Sequence, residues 1–450
     1  MSSLWMAAVA VGGLLAAAPA SAQGVKIGIL NDQSGVYADY GGKYSLEAAR
    51  MAVEDFGGEA LGHKIEIVTA HHQNKPDLAT AIARRWYDAE GVDMITELTT
   101  SSVALAVQEL SKEKKKIEVV SADHQNKPDV GATVARQWFD AEGVDMITDL
   151  TTSSVALAVQ EVAREKNKVL LITGAASSDL TGKNCAPTSI HWAYDTTALA
   201  NGTGGAVVKA GGKTWFFITA DYAFGHALQN DTTAVVEANG GKVLGSVNVP
   251  LNTADFSSYL LQAQASKAQI IGLANAGGDT INSIKQAAEF GIVKGGQKLA
   301  GLLLFVTDVH SLGLETAQGL QLTESFYWDQ DDQTRAWSKK FFARTNKEPT
   351  MTQAGVYSAV THWLNAVKAV NSVDGPTVVK ELKSKPINDF MIRNGHIEAS
   401  GSLVHDMYLY EVKKPSESTG PWDLYKLIST IPGDVAYKPL HGNQCPLAKG

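Results

Sequence analysis

Two hydroxyl-rich loops carry the residues best suited to chemistry in this 450-residue chain. The first reads Thr151-Thr152-Ser153-Ser154 and runs into the apolar helical stretch Val155-Ala156-Leu157-Ala158-Val159; it occurs a second time as Thr99 to Ser102. The second, Gly174-Ala175-Ala176-Ser177-Ser178, directly follows the strand-like run Val169 to Thr173. A loop leading from a parallel strand into a helix offers unpaired backbone N–H groups and the positive end of the helix dipole, which favour an anion. Hydroxyls and small side chains let a carboxylate approach that backbone closely. Either loop alone is equally an ordinary helix N-cap; two of them after neighbouring strands favour a site. No Gly-x-Ser-x-Gly elbow, P-loop or His-Glu-x-x-His occurs, so neither a serine hydrolase nor a nucleotide or zinc enzyme has its usual signature.

Such loops need parallel strands and covering helices, and the hydrophobic pattern supplies both. From Val25 onward short β-rich runs alternate with amphipathic stretches, the signature of βαβ units. Val25 to Leu30 is the first strand; after a turn at Ser34-Gly35, Ala49, Ala52, Val53 and Phe56 mark one face of a helix that Gly57-Gly58 stops. The next strand is Ile65 to Thr69. Residues 65–116 are then repeated in tandem as 117–168, with 37 of 52 positions identical. Two copies do not make a solenoid, so the pattern reads as one doubly wound lobe with a duplicated βαβα segment. The sequence does not say which copy is surplus. Further strands at 169–173, 214–219, 242–249, 269–273 and 301–306 alternate with helices at 259–265, 280–290, 334–345 and 352–370, and a β-rich tail holds Met407 to Val412.

Length and composition bound the partners. The chain is too long for one ordinary core, so two lobes of roughly 150 to 200 residues are expected. Its net charge of −8 gives no attraction for phosphate backbones, and no nucleic-acid partner is expected. Residues 1–22 carry no charge, run apolar from Leu4 to Pro19 and end in Ala20-Ser21-Ala22, which reads as a secretory leader cleaved between Ala22 and Gln23. Export permits a disulfide, and Cys185 is expected to pair with Cys445, each lying in turn-like sequence; two free thiols are the alternative. Two cysteines so far apart without clustered histidines do not read as a metal site, and no cofactor is expected.

From Val25 to about Lys413 the chain resembles the hydrophobic and branched-chain amino-acid binding proteins of ABC importers, which share the type I periplasmic binding-protein fold. The motifs are Val25-Lys26-Ile27-Gly28-Ile29-Leu30 followed by Ser34-Gly35, Met51-Ala52-Val53-Glu54-Asp55, Ala175-Ala176-Ser177, and Ala220-Asp221-Tyr222-Ala223-Phe224-Gly225. The resemblance implies two Rossmann-like α/β lobes joined by three crossovers, a ligand in the cleft and closure by hinge bending. The N-terminal lobe is expected over 23–193 plus 329–395, and the C-terminal lobe over 194–328 plus 396–450. Carried across by position, the resemblance puts a ligand carboxylate against Thr152, Ser153, Ala175, Ala176 and Ser177, with an aromatic wall from Tyr40 and from Tyr222 or Phe224. Asp308 is its candidate for meeting a ligand ammonium, and Asn275 lies in a second-lobe loop that lacks the tyrosines of leucine-type members. An aromatic or other acid without an amino group is therefore a ligand class beside hydrophobic amino acids. The implied protein is no enzyme but a periplasmic monomer that hands its ligand to an ABC permease in the inner membrane. A ligand-sensing receptor or regulator of the same fold is the alternative.

Other signals read as structural. Gly202-Thr203-Gly204-Gly205 falls within a helical stretch, not after a strand, so it is helix packing and no dinucleotide fingerprint. His71-His72 lack a third ligand, and copy two has Asp123-His124 there. Trp86 and Trp138 sit in periodic helices as core residues.

Overall fold

The structure, a computed structural model, describes residues 25–33, 35–57, 59–60, 63–64, 118–442 and 444–448. The expected leader with its cleavage point at Gln23, and the first repeat copy at 65–116, lie outside the described residues. Strand β1 (Lys26–Asn31) leads through the helix Gly42–Asp55 to a small hairpin, β2 (Glu59–Ala60) and β3 (His63–Lys64). The second repeat copy then supplies β4 (Glu118–Asp123), the helix Pro128–Asp140, β5 (Met146–Asp149) and the helix Ser153–Lys166. With β6 (Val169–Ile172) and β7 (Ser189–His191) these strands form a parallel sheet in the order β4-β1-β5-β6-β7. Strand β4 pairs with all of β1, from Lys26 opposite Glu118 to Asn31 opposite Asp123.

Helices cover both faces of this sheet, which is why its inner strands β5 and β6 are buried along their whole length. On one face Trp138, Val155 and Val159 pack under Ile147 and Leu170. On the other the helix Gly42–Asp55 meets the helix Met351–Val370, burying Ala49 and Val53 in one cluster with Val356 and Trp363. Proline at the first turn sets the start of the helix Pro128–Asp140, and Asn167 in the left-handed region ends the helix Ser153–Lys166.

The second unit is built on β8 (Thr214–Ala220), β9 (Lys242–Val249), β10 (Ile270–Ala274) and β11 (Lys298–Gly301), parallel in the order β11-β10-β8-β9. Against it lies an antiparallel sheet of β12 (Gln321–Glu324), β15 (Met407–Val412) and β16 (Tyr425–Ile431). Ile218, Leu260, Ile271, Leu322 and Tyr410 share the core between them. The chain passes between the units three times: after β7, after β12 into the helix Asp332–Thr345, and after the hairpin β13 (His396–Ile397) with β14 (Leu403–Val404). In both parallel sheets the order reverses, at β1 and at β8, so each unit turns the carboxyl ends of its central strands to the same cleft.

Two boundaries differ from the sequence reading. His191 N donates to Gly401 O at 2.9 Å and His191 bridges Ser402, so the chain from 396 to 404 packs on the first sheet and returns to the second unit only after Val404. The strand expected over 301–306 ends at Gly301, and Val306 already opens the helix Val306–Leu312. Leu302, Leu303 and Leu304 form a buried connection there, and a short apolar run does not distinguish the two.

Cys185 and Cys445 are joined in a disulfide with Cα atoms 5.6 Å apart. The Cys185 loop is held in the first unit by Gln160, whose Nε2 donates to Leu180 O at 3.2 Å and to Asn184 O. The tail leading to Cys445 is held by the second unit, with Asn201 Nδ2 donating to Ala436 O at 2.9 Å and His441 paired to Asp231 at 2.9 Å.

Candidate functional site

The floor of the cleft begins where β5 ends. Asp149 and Leu150 have φ of 78° and 59°, a strained conformation for residues with side chains, of the kind that collects at functional sites. The kink is fastened from below: Asn31 Nδ2 donates to Asp149 Oδ2 at 2.8 Å, and Thr173 N and Gly174 N donate to Asp149 O at 3.2 and 3.1 Å. Burial pushes the Asp149 carboxyl up to about 6, against hydrogen bonds from Asn31, Ser45 and Thr173. The kink delivers Thr151 and Ser153 to the cleft at the start of the helix Ser153–Lys166.

That helix has no side-chain cap, although Thr152 holds the N-cap position. The Thr152 hydroxyl donates instead to Asn126 Oδ1, so the ordinary-cap reading does not apply to it. Ser153 Oγ accepts from Ala176 N at 3.3 Å and Ser177 N at 3.1 Å. Its acceptor places are filled and its proton is left to donate. Thr151 Oγ1 accepts from Asp32 N at 3.1 Å and lies 3.4 Å from His124 Nε2. His124 Nδ1 accepts from Asn126 N at 3.0 Å, which places the proton on Nε2, and burial pushes His124 down to about 4, so it is neutral. The second loop is held by Tyr194, whose hydroxyl donates to Gly174 O at 2.7 Å, and by His191 Nε2, 2.7 Å from Ala175 O. Ser177 is an ordinary cap, accepting from Asp179 N at 3.4 Å.

Tyr40, Tyr194, Tyr222, Phe224, Ala276 and Leu303 wall the space above Thr151, Ser153, Gly174 and Ala176. The gap is shut, with no room for even a water molecule, against the roughly 300–1,000 Å³ of an open ligand pocket. Rings close it: Tyr40 stacks on Phe305 at 4.2 Å, and Tyr194 meets the same ring edge-on at 6.3 Å. Burial raises the phenols of Tyr40, Tyr194 and Tyr222 well above their usual range, so all three remain neutral hydroxyls. No charged side chain lines the gap. An anion there meets hydroxyls, backbone N–H groups and a helix N-terminus, while an ammonium finds no carboxylate.

A larger cavity of about 900 Å³ lies beside the cleft between the 178–183 loop, the helix Ala223–Ala238 and the C-terminal tail. Asp195, Asp231, Glu237 and Glu398 are among its lining residues. Size favours it, but its acidic wall repels a carboxylate, and the strained loop with its unpaired donors belongs to the smaller gap.

Of the sequence-predicted residues, Tyr40, Ser153, Ala176, Tyr222 and Phe224 line the gap; Thr152, Ala175 and Ser177 stand behind its floor. Asn275 and Asp308 do not line it. Asn275 is spent on the helix Gly278–Glu289, accepting from Thr280 Oγ1 at 2.8 Å and donating to Ser283 Oγ at 2.9 Å. Asp308 Oδ2 accepts from Phe305 N at 3.0 Å as a helix cap, and burial pushes its carboxyl up to about 7. Its expected place in the cleft was carried across by position from the resemblance; here it falls in the first turn of the helix Val306–Leu312. Sequence reading named Thr151 within the first hydroxyl loop but did not set it against the ligand, and it missed Tyr194, Leu303 and the supports Asn31 and Asp149. Tyr194 had a signal, since it follows the last strand of the first sheet where the chain must cross the cleft.

The chain matches, over residues 24–116 and 111–420, the model of a family described as periplasmic binding protein. A periplasmic binding protein from Burkholderia mallei is 49% identical, with a TM-score of 0.81 over 95% of this chain and 100% of that one. A branched chain amino acid ABC transporter periplasmic ligand-binding protein from Burkholderia xenovorans is 37% identical, with a TM-score of 0.74 over 94% and 100%. A solute binding protein of an ABC transporter from R. palustris, solved in complex with benzoate, shares the fold at 18% identity and a TM-score of 0.71 over 91% and 97%.

Proposed function

The chain belongs to the periplasmic binding protein family, and on that premise we propose that it closes two lobes on a small carboxylate and presents it to an ABC permease in the inner membrane. The family consists of binding proteins, not enzymes. One observation carries the ligand class: the gap joins the Thr151 and Ser153 hydroxyls and the uncapped start of the helix Ser153–Lys166 to four aromatic rings, with no acidic side chain in its lining. That favours a carboxylate with an aromatic or apolar body and no ammonium, the class of the benzoate held by the R. palustris protein. A branched-chain amino acid is the second reading, supported by the name of the B. xenovorans relative.

In this proposal the lobes follow the two parallel sheets, 23–193 with 329–404 and 194–328 with 405–450. Residues 1–22 are a leader removed before Gln23, leaving a monomer in the periplasm. Among the described residues no helix is long and apolar enough to cross a membrane, and no group of three or more His, Cys, Asp or Glu is placed to hold a metal.

Thermal melting with benzoate, 4-hydroxybenzoate, leucine and the other common amino acids tests the reading. A ligand at 100 times its Kd stabilises the native state by about 2.7 kcal/mol. A rise with the benzoates and not with leucine is expected. A rise with leucine alone gives the second reading, and no rise from folded protein contradicts both.

A further inference from the structure

Tyr37 is wholly buried but does not line the ligand gap. Its hydroxyl hydrogen-bonds the hydroxyl of Tyr222, which belongs to the other unit. A tyrosine serving only its own core would find its partner within its own unit. Next to this pair, backbone meets backbone across the cleft: Gly278 N donates to Val36 O at 3.3 Å. Gly277 has φ 57°, and a Cβ there would stand 2.4 Å from Val36 O and 3.3 Å from the Tyr37 ring. The β10 loop therefore seats on the 36–37 turn with no space to spare.

The turn is held ready for that contact. The Asp32 carboxylate accepts from Gly35 N at 2.6 Å, from Tyr37 N at 3.0 Å and from Asn126 Nδ2 at 2.9 Å. Asn126 in turn accepts the Thr152 hydroxyl at the cleft floor. The orientation of Tyr37 is thus tied to the loop that shapes the floor.

We infer that Tyr37, paired with Tyr222 and seated against Gly277, is the latch of the closed cleft: it sets how long a ligand stays without touching it. The inference rests on the gap being the ligand site. A ligand walled in by Tyr40, Tyr194 and Tyr222 leaves only when the units part, and parting breaks the hydroxyl pair and the Gly278–Val36 bond. Water then satisfies the freed groups, so only the net worth of the bond counts, about a five- to tenfold change in release rate. Association starts from the open form and does not depend on the pair.

Tyr37→Phe, Tyr222→Phe and the double variant test this, after a melt confirms that each is folded. Release of 4-hydroxybenzoate or leucine, whichever the native chain binds, is followed by stopped-flow tryptophan fluorescence. Tyr37→Phe should speed release about five- to tenfold and leave association within twofold. In the Tyr222→Phe background the same change should have no further effect, because the partner hydroxyl is already gone. Unchanged release in Tyr37→Phe, or an equal effect in both backgrounds, overturns the latch. If neither probe binds, the ligand reading fails and small-angle scattering decides the latch alone: a larger radius of gyration in Tyr37→Phe than in the native chain supports it, and an unchanged one overturns it.

Discussion

Ser153 and Thr152 are adjacent hydroxyls with opposite duties. Ser153 Oγ accepts two backbone N–H groups from the facing loop, whereas the Thr152 hydroxyl is turned to Asn126. Ser153→Ala leaves buried donors unpaired, at a cost of about 1–3 kcal/mol, and removes the hydroxyl proposed to meet the carboxylate. A calorimetric titration should show carboxylate affinity falling tenfold or more, with Thr152→Ala nearer to native. Asp308→Ala should behave in the reverse way, losing about 1 kcal/mol of stability as a lost helix cap while ligand affinity stays within twofold. A large loss of affinity in Asp308→Ala would return that residue to the site. The sequence carried the hydroxyl loops because residue type and position before a helix are local properties. It did not carry the fate of Asp308 or Asn275, because a carboxylate or amide at the start of a helix serves a ligand and the helix itself equally well until the backbone path is fixed.

At the scale of elements the tandem repeat is the open choice, and packing discriminates between the copies. Gly131 faces the helix Ser153–Lys166 so closely that a Cβ would stand 2.4 Å from Val155 Cγ1; copy one has Ala79 at that position. Buried Val162 and Ala163 correspond to Leu110 and Ser111, and the fastened Asp149 corresponds to Glu97. Each replacement adds atoms to a close-packed core, where overpacking typically costs about 1–3 kcal/mol. Deleting 65–116 should therefore give a folded chain that melts at or above the temperature of the full one. Deleting 117–168 should give a chain that melts lower by several degrees, rescued in part by Ala79→Gly. Equal melting of the two deletions would mean that the copies are interchangeable, and a large loss on deleting 65–116 would mean that both are built into the core. The family match, over 24–116 and 111–420, takes in both copies and so does not choose between them. Hydrophobic period placed β1, β6, β8, β9, β10 and β15 to within a few residues but missed β7, β12, β16 and the helix Ala223–Ala238. It was blind to the copies, since 37 of 52 positions are the same and the discriminating contacts are three-dimensional.

For the whole molecule, two features set stability. The disulfide closes a separation of 260 residues and joins a tail held by the second unit to a loop of the first. Constraining so long a loop stabilises by about 2–5 kcal/mol, so Cys185→Ser with Cys445→Ser should lower the melting temperature measurably under non-reducing conditions. The second feature is a set of buried carboxyls: Asp195, Asp308 and Glu348 are pushed by burial up to about 7. For such groups the folded state prefers the neutral form, so their contribution is complete at low pH and is lost as pH rises through 7. His124 and His191, pushed down to about 4 by burial, act in the opposite sense, and their contribution is lost as pH falls from 6.5 toward 4. Above pH 7 the histidines have gained most of what they contribute while the carboxyls are still losing theirs, so calorimetric scans should show the melting temperature falling between pH 7 and 8. Two lobes were legible in the length of the chain, and a cleft between them in its resemblance to the binding-protein family. The way the cleft shuts was not, because Tyr37, Tyr222 and Gly277 are far apart in sequence and carry no pattern until both sheets are built.

The central claim is that the molecule closes on a carboxylate at the Ser153 floor, and a crystal structure of the mature chain grown with the ligand that raises its melting temperature tests it most directly. The account expects the carboxylate within hydrogen-bond reach of Ser153 Oγ and the N–H groups opening the helix Ser153–Lys166, under the rings of Tyr40 and Tyr222. A ligand seated instead in the acidic cavity beside Asp195 and Asp231, with the gap still empty, would contradict it.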